Sequence, residues 1–69
     1  MSKVEDFYQH RKPGRVAWMV MKVITYRPRY YCGGEAQWTD SPTQAVCWED
    51  REQAYAVREN LGGLILIVE

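Results

Sequence analysis

The stretch Asp50-Arg51-Glu52-Gln53-Ala54-Tyr55-Ala56-Val57-Arg58-Glu59-Asn60-Leu61-Gly62-Gly63-Leu64-Ile65-Leu66-Ile67-Val68 decides the fold. Asp50 with Gln53 resembles a capping box, and Glu52 adds negative charge in the first turn, where the helix dipole favours it. Ala54, Val57 and Leu61 then form an apolar stripe, while Arg51, Glu52, Arg58 and Glu59 populate the outer surface. Gly62 can take the left-handed position that closes a helix, so the spacing predicts a helix over Arg51–Leu61. Leu64 to Val68 is apolar throughout, as expected of a strand buried on both faces or paired in the middle of a sheet.

Upstream, Val16 to Tyr26 is rich in β-branched and aromatic residues and lacks Gly and Pro, which reads as a long central strand. Arg27-Pro28-Arg29 is expected to break that strand, because proline cannot donate to a ladder, and Tyr30-Tyr31-Cys32 to return as the second arm of a hairpin. Gly33-Gly34 opens an irregular stretch. Ser41-Pro42 predicts a single helical turn over residues 42–45, and Val46-Cys47-Trp48 a third short strand. At the N-terminus, Ser2 with Glu5 fits a capping box, with Val4, Phe7 and Tyr8 at helical spacing behind it, so a short helix ending at Pro13-Gly14 is expected. The fold class is therefore α+β: a three- to four-stranded sheet with one main helix packed on one face, and a short N-terminal helix. The last strand lies parallel to the third or inserts beside the first.

A chain of 69 residues holds one domain, spanning 1–69, with 1–14 as helix and turn and 15–69 as sheet plus helix. The longest apolar run is far short of the roughly 20 residues that cross a bilayer. The segment Met1-Ser2-Lys3-Val4-Glu5-Asp6 carries two acids where a signal peptide would be basic and then apolar, so cytoplasmic residence is expected.

Cys32 and Cys47 are too few for a disulfide framework, and a single histidine leaves no set of zinc ligands, so neither a metal nor another cofactor is expected. A nucleophilic site would have to combine Cys32 or Cys47 with His10, and His10 sits beside Arg11 and Lys12 in a solvated segment, so no enzyme is expected. The glycine pairs match neither a Walker loop nor a dinucleotide fingerprint.

The net charge is zero, but it divides along the chain. Residues 1–30 hold seven of the nine basic side chains and two of the nine acids, and residues 31–69 the reverse, giving +5 against −5. This asymmetry suggests two opposed surfaces unless folding interleaves them into ordinary ion pairs. An acidic surface built from Asp40, Glu49, Asp50, Glu52 and Glu59 could occupy a basic groove that normally holds nucleic acid. Alternatively, the stretch Tyr26-Arg27-Pro28-Arg29-Tyr30-Tyr31 interleaves guanidinium groups and aromatic rings, a combination that can hold phosphates and stack on bases, with Arg27, Arg29, Tyr30 and Tyr31 as its candidate contacts.

Tyr30-Tyr31-Cys32-Gly33-Gly34, Trp38-Thr39-Asp40-Ser41-Pro42, Ala45, Asp50-Arg51-Glu52-Gln53-Ala54 and Leu61-Gly62-Gly63 together resemble a pattern in small phage and prophage α+β proteins, over about residues 16–69. The resemblance implies a glycine turn, a Trp-Thr-Asp turn, a capped helix and a glycine stop, and carries no catalytic residues. Proteins of this class include inhibitors of host defence, among them anti-CRISPR proteins that bind a nuclease complex and block its DNA. Cys47-Trp48 and the Met-rich first strand depart from the pattern. The implied reading is a non-enzymatic, protein-binding inhibitor in the bacterial cytoplasm, with Asp40, Glu49, Glu52 and Glu59 facing a host complex such as a CRISPR effector. A nucleic-acid accessory role for Arg27, Arg29, Tyr30 and Tyr31, or dimerisation through a strand edge, stands beside it.

Overall fold

A long apolar strand with two different faces organises the molecule. In the computed structural model, which describes residues 2–69, the order is β1 (Ser2–Lys3), α1 (Val4–Gln9), β2 (Ala17–Ile24), β3 (Arg27–Gly33), β4 (Gln37–Thr39), a 3-10 turn (Pro42–Gln44), β5 (Val46–Cys47), α2 (Arg51–Leu61) and β6 (Leu64–Val68). The main sheet is antiparallel in the order β4-β3-β2-β6, so the last strand inserts beside the long one. β1 and β5 pair separately, with Ser2 opposite Cys47, and Trp48 bridges to Trp18 through two backbone hydrogen bonds of 2.8 and 2.9 Å. No helix among the described residues is long and apolar enough to cross a membrane.

Because side chains alternate along a strand, β2 serves two cores. Ala17 and Met19 point to one face, where they pack with Val4 and Phe7 of α1, Ala45, Cys47 and Val68. Val20 points to the other and packs with Val46, Trp48 and Ala54, bordered by Trp18, Tyr31, Trp38, Val57 and Ile65. α2 therefore covers one face and α1 part of the other. The buried positions among the described residues are all apolar or cysteine.

The helix over Arg51–Leu61 forms as expected. The Asp50 carboxylate accepts the Glu52 N–H at 3.0 Å, and Gly62, at φ +79°, donates its N–H to the Arg58 carbonyl at 2.6 Å. Lys22 reaches from β2 to donate to the Leu61 carbonyl at 3.0 Å, placing a cation at the end of the helix where the dipole favours it. Gly63 is required by close approach: a Cβ there would lie 2.5 Å from the Met21 carbonyl oxygen.

Several expectations are corrected. The chain reverses at Thr25-Tyr26, both at positive φ (+53° and +66°), so Arg27, Pro28 and Arg29 lie inside β3. A two-residue hairpin makes Ile24 and Arg27 a hydrogen-bonded pair, so the Val23–Pro28 pair turns its backbone groups outward and the missing Pro28 donor costs nothing. Ser2 pairs in β1 instead of capping α1, whose N-cap is Lys3 with no side-chain hydrogen bond, and α1 ends at Gln9, before Pro13. Gln37-Trp38-Thr39 supplies an unforeseen strand, and Val46-Cys47 joins β1 rather than the main sheet. β6 is an edge strand rather than an enclosed one, with Leu64 58% and Ile67 62% exposed.

Candidate partner-binding surface

Helical phase sorts α2 into two stripes. Ala54, which is fully buried, and Val57 pack in the Val20 core, while Leu61, expected in the same stripe, is half-buried and lies outside both cores. Glu52, Tyr55, Ala56 and Glu59 fall at i, i+3, i+4 and i+7, the spacing that aligns side chains along one helix face. With Arg51 they line a shallow depression on the outer surface, where Tyr55 is 44% exposed.

The two acids differ in what they do for the helix. Glu52, in the first turn, is favoured by the dipole. Glu59 lies in the last turn, where negative charge is disfavoured, so local stability does not account for it. Among the described residues neither forms an ion pair.

The remaining acids of the expected surface are engaged elsewhere. Glu49, just before α2, pairs with Arg15, whose guanidinium also lies 5.5 Å from the Phe7 ring centroid and donates to the His10 carbonyl at 3.4 Å. Asp40, after β4, lies 3.9 Å from Arg29. Both pairs join the basic N-terminal half to the acidic C-terminal half, so folding interleaves part of the charge division. The structure therefore brings Glu52 and Glu59 together on one helix face and leaves Asp40 and Glu49 in separate contacts.

The Arg-Tyr segment divides across the sheet. Arg27, Arg29 and Tyr31 share the face that carries α2, and Tyr30 projects to the opposite face, where it packs against the α1 core. The Tyr31 ring is stacked on Trp48 at 6.0 Å and meets Trp38 edge-on at 5.8 Å, so it supports the core instead of offering a free face to a base. Tyr26, the first residue of the same stretch, is 98% exposed at the hairpin tip beside exposed Arg27.

The two cysteines differ in their surroundings. Cys47 is buried in the α1 core, where desolvation pushes its thiol upward and disfavours the thiolate. Cys32 is half-buried in β3, and His10 is exposed just past α1. No family model, curated protein or solved structure matches the chain.

Proposed function

We propose that the chain is a non-enzymatic, protein-binding inhibitor that occupies a basic groove on a partner assembly, with the outer face of α2 as its contact. The observation that carries this reading is the Glu52-Tyr55-Ala56-Glu59 stripe, in which two carboxylates without ion pairs among the described residues flank an exposed tyrosine. A tyrosine ring supplies contact area at low entropic cost, and two carboxylates against the single cation Arg51 leave the depression net negative, which steers a positively charged partner. A groove built to hold nucleic acid has that opposite charge. Taken with the resemblance to phage proteins, the partner proposed is a CRISPR effector complex, and the mode of action is competition with its DNA.

The test is inhibition of DNA binding by purified CRISPR effector complexes, with the parent chain and a Glu52→Lys, Glu59→Lys double variant compared. Each exposed charge pair contributes about 0.2–1 kcal/mol, so reversing both charges should weaken inhibition about tenfold while circular dichroism stays unchanged. Undiminished inhibition by the folded variant would reject the α2 face. A second reading, nucleic-acid binding at the hairpin, rests on exposed Tyr26 beside Arg27. It requires retention of a single-stranded oligonucleotide at low salt, released as salt rises and lost in Tyr26→Ala.

A further inference from the structure

The two edges of the main sheet are treated differently. The β4 edge is three residues long, carries a register shift at Tyr31/Gly33, and has Gln37 at φ +61°, all of which make it a poor template for another strand. The β6 edge is five residues, has neither proline nor charge within it, and pairs with β2 in an unbroken register. Among the described residues no strand covers its outer side.

The backbone of that edge can be assigned. Trp18 exchanges hydrogen bonds with Trp48, so its own backbone groups point away from β6, and Ile67, directly opposite Trp18, must point its N–H and C=O outward. Alternation places Ile65 in the same state. Two adjacent outward-facing residues thus present two donors and two acceptors on an exposed apolar strand.

We propose that this edge pairs antiparallel with β6 of a second copy of the chain, about a two-fold axis at Leu66. Residues whose numbers sum to 132 then face each other. Ile65 meets Ile67 of the partner subunit as a hydrogen-bonded pair, twice by symmetry, giving four backbone hydrogen bonds. Exposed Leu64 meets the partner's Val68, and exposed Ile67 meets the partner's Ile65, so both solvent-facing apolar residues of the strand acquire apolar neighbours.

Charge selects a second copy in this orientation. Glu69 follows one end of the strand, and Arg58 lies at the other, with its Nε 3.2 Å from the Gly63 carbonyl. The two-fold brings Glu69 opposite the partner's Gly63, whose carbonyl accepts from Arg58, at both ends of the pairing. A parallel arrangement would set each charge against its own kind. The result is an isologous interface that joins two four-stranded sheets into one of eight strands. Because the axis runs perpendicular to the sheet, both α2 helices lie on the same side, although the pairing does not depend on what α2 binds.

Sedimentation equilibrium across the micromolar range tests the pairing. The parent should show twice the 8.1 kDa chain mass at the upper concentrations. Ile67→Pro removes one outward donor without touching the β2 ladder, and should leave a folded monomer by circular dichroism. Should that variant fail to fold, Glu69→Lys, which touches no core residue, gives the second readout: the dimer dissociation constant should rise about tenfold and should recover when Arg58→Glu is added. A parent that stays monomeric throughout, or a dimer indifferent to Glu69→Lys, would overturn the proposal.

Discussion

Gly63 is the residue at which backbone conformation and tertiary contact are jointly demanding. Its φ of +108° lies where L side chains rarely go, and a Cβ would meet the Met21 carbonyl at 2.5 Å, a backbone atom that cannot swing aside. Gly63→Ala should therefore cost about 1–3 kcal/mol, read as a lower urea midpoint at constant slope. Gly62 is less constrained, because its nearest neighbour is the flexible end of Lys22. Both glycines are legible in the sequence as a helix stop, but their different severity is not, since the close approach at Gly63 depends on β6 lying against β2. Among the proposed contact residues, Glu52 and Glu59 could be placed on the outer helix surface by phase alone. Tyr55 follows from the same phase, but attention to the apolar stripe at Ala54, Val57 and Leu61 passes over it. The partners of Glu49 and Asp40 are tertiary facts: Arg15 and Arg29 lie far off in sequence, and no local pattern connects them.

The β2–β3 hairpin is the element whose local chemistry agrees least with its geometry. A turn with positive φ at both central residues is favoured by Asn-Gly or Asp-Gly, and here it is made by a β-branched threonine and an aromatic, neither of which adopts that region readily. The strain is maintained by the ladder on either side, from Met21 opposite Tyr30 to Ile24 opposite Arg27. Replacing Thr25→Asn together with Tyr26→Gly should raise the melting temperature by about 4–8 °C, the equivalent of about 1 kcal/mol in a domain of this size, since both side chains are exposed. An unchanged or lower melting temperature would show that the tip carries no strain. The same mismatch explains the misplaced turn: with no Gly or Asn at the tip, the proline two residues on is the stronger local signal, and only the register shows that its missing donor points outward. α2 was legible because cap, stripe and stop all lie within one short stretch. β4 was not, since three residues are too few to show an alternation, and the edge position of β6 was hidden because a uniformly apolar strand reads the same at an edge as in the middle.

At the scale of the molecule, the two cores share β2, and the α1 side encloses a thiol whose titration is coupled to folding. Burial pushes Cys47 upward, so on raising the pH the unfolded chain releases this proton first, near the ordinary thiol value of about 8.5. Above that pH the unfolded state holds fewer protons than the native one, and stability falls; below it the contribution is fully present. The parent should lose stability between about pH 8 and pH 10 more steeply than Cys47→Ala, measured by urea denaturation at each pH. Equal slopes would mean that the thiol is as free to ionise in the fold as outside it. The sheet order carries a different consequence, one for synthesis. The hairpin of β2 and β3 can close early, yet the other flank of β2, from Ala17 to Met21, waits for β6, which is made after β3, β4, β5 and α2. At translation rates of about 5–20 residues per second, the nascent chain carries an unpaired apolar edge for seconds before Val68 leaves the ribosome. A premature stop within β6 would make that exposure permanent and leave a product for proteases or aggregates rather than a shorter working domain.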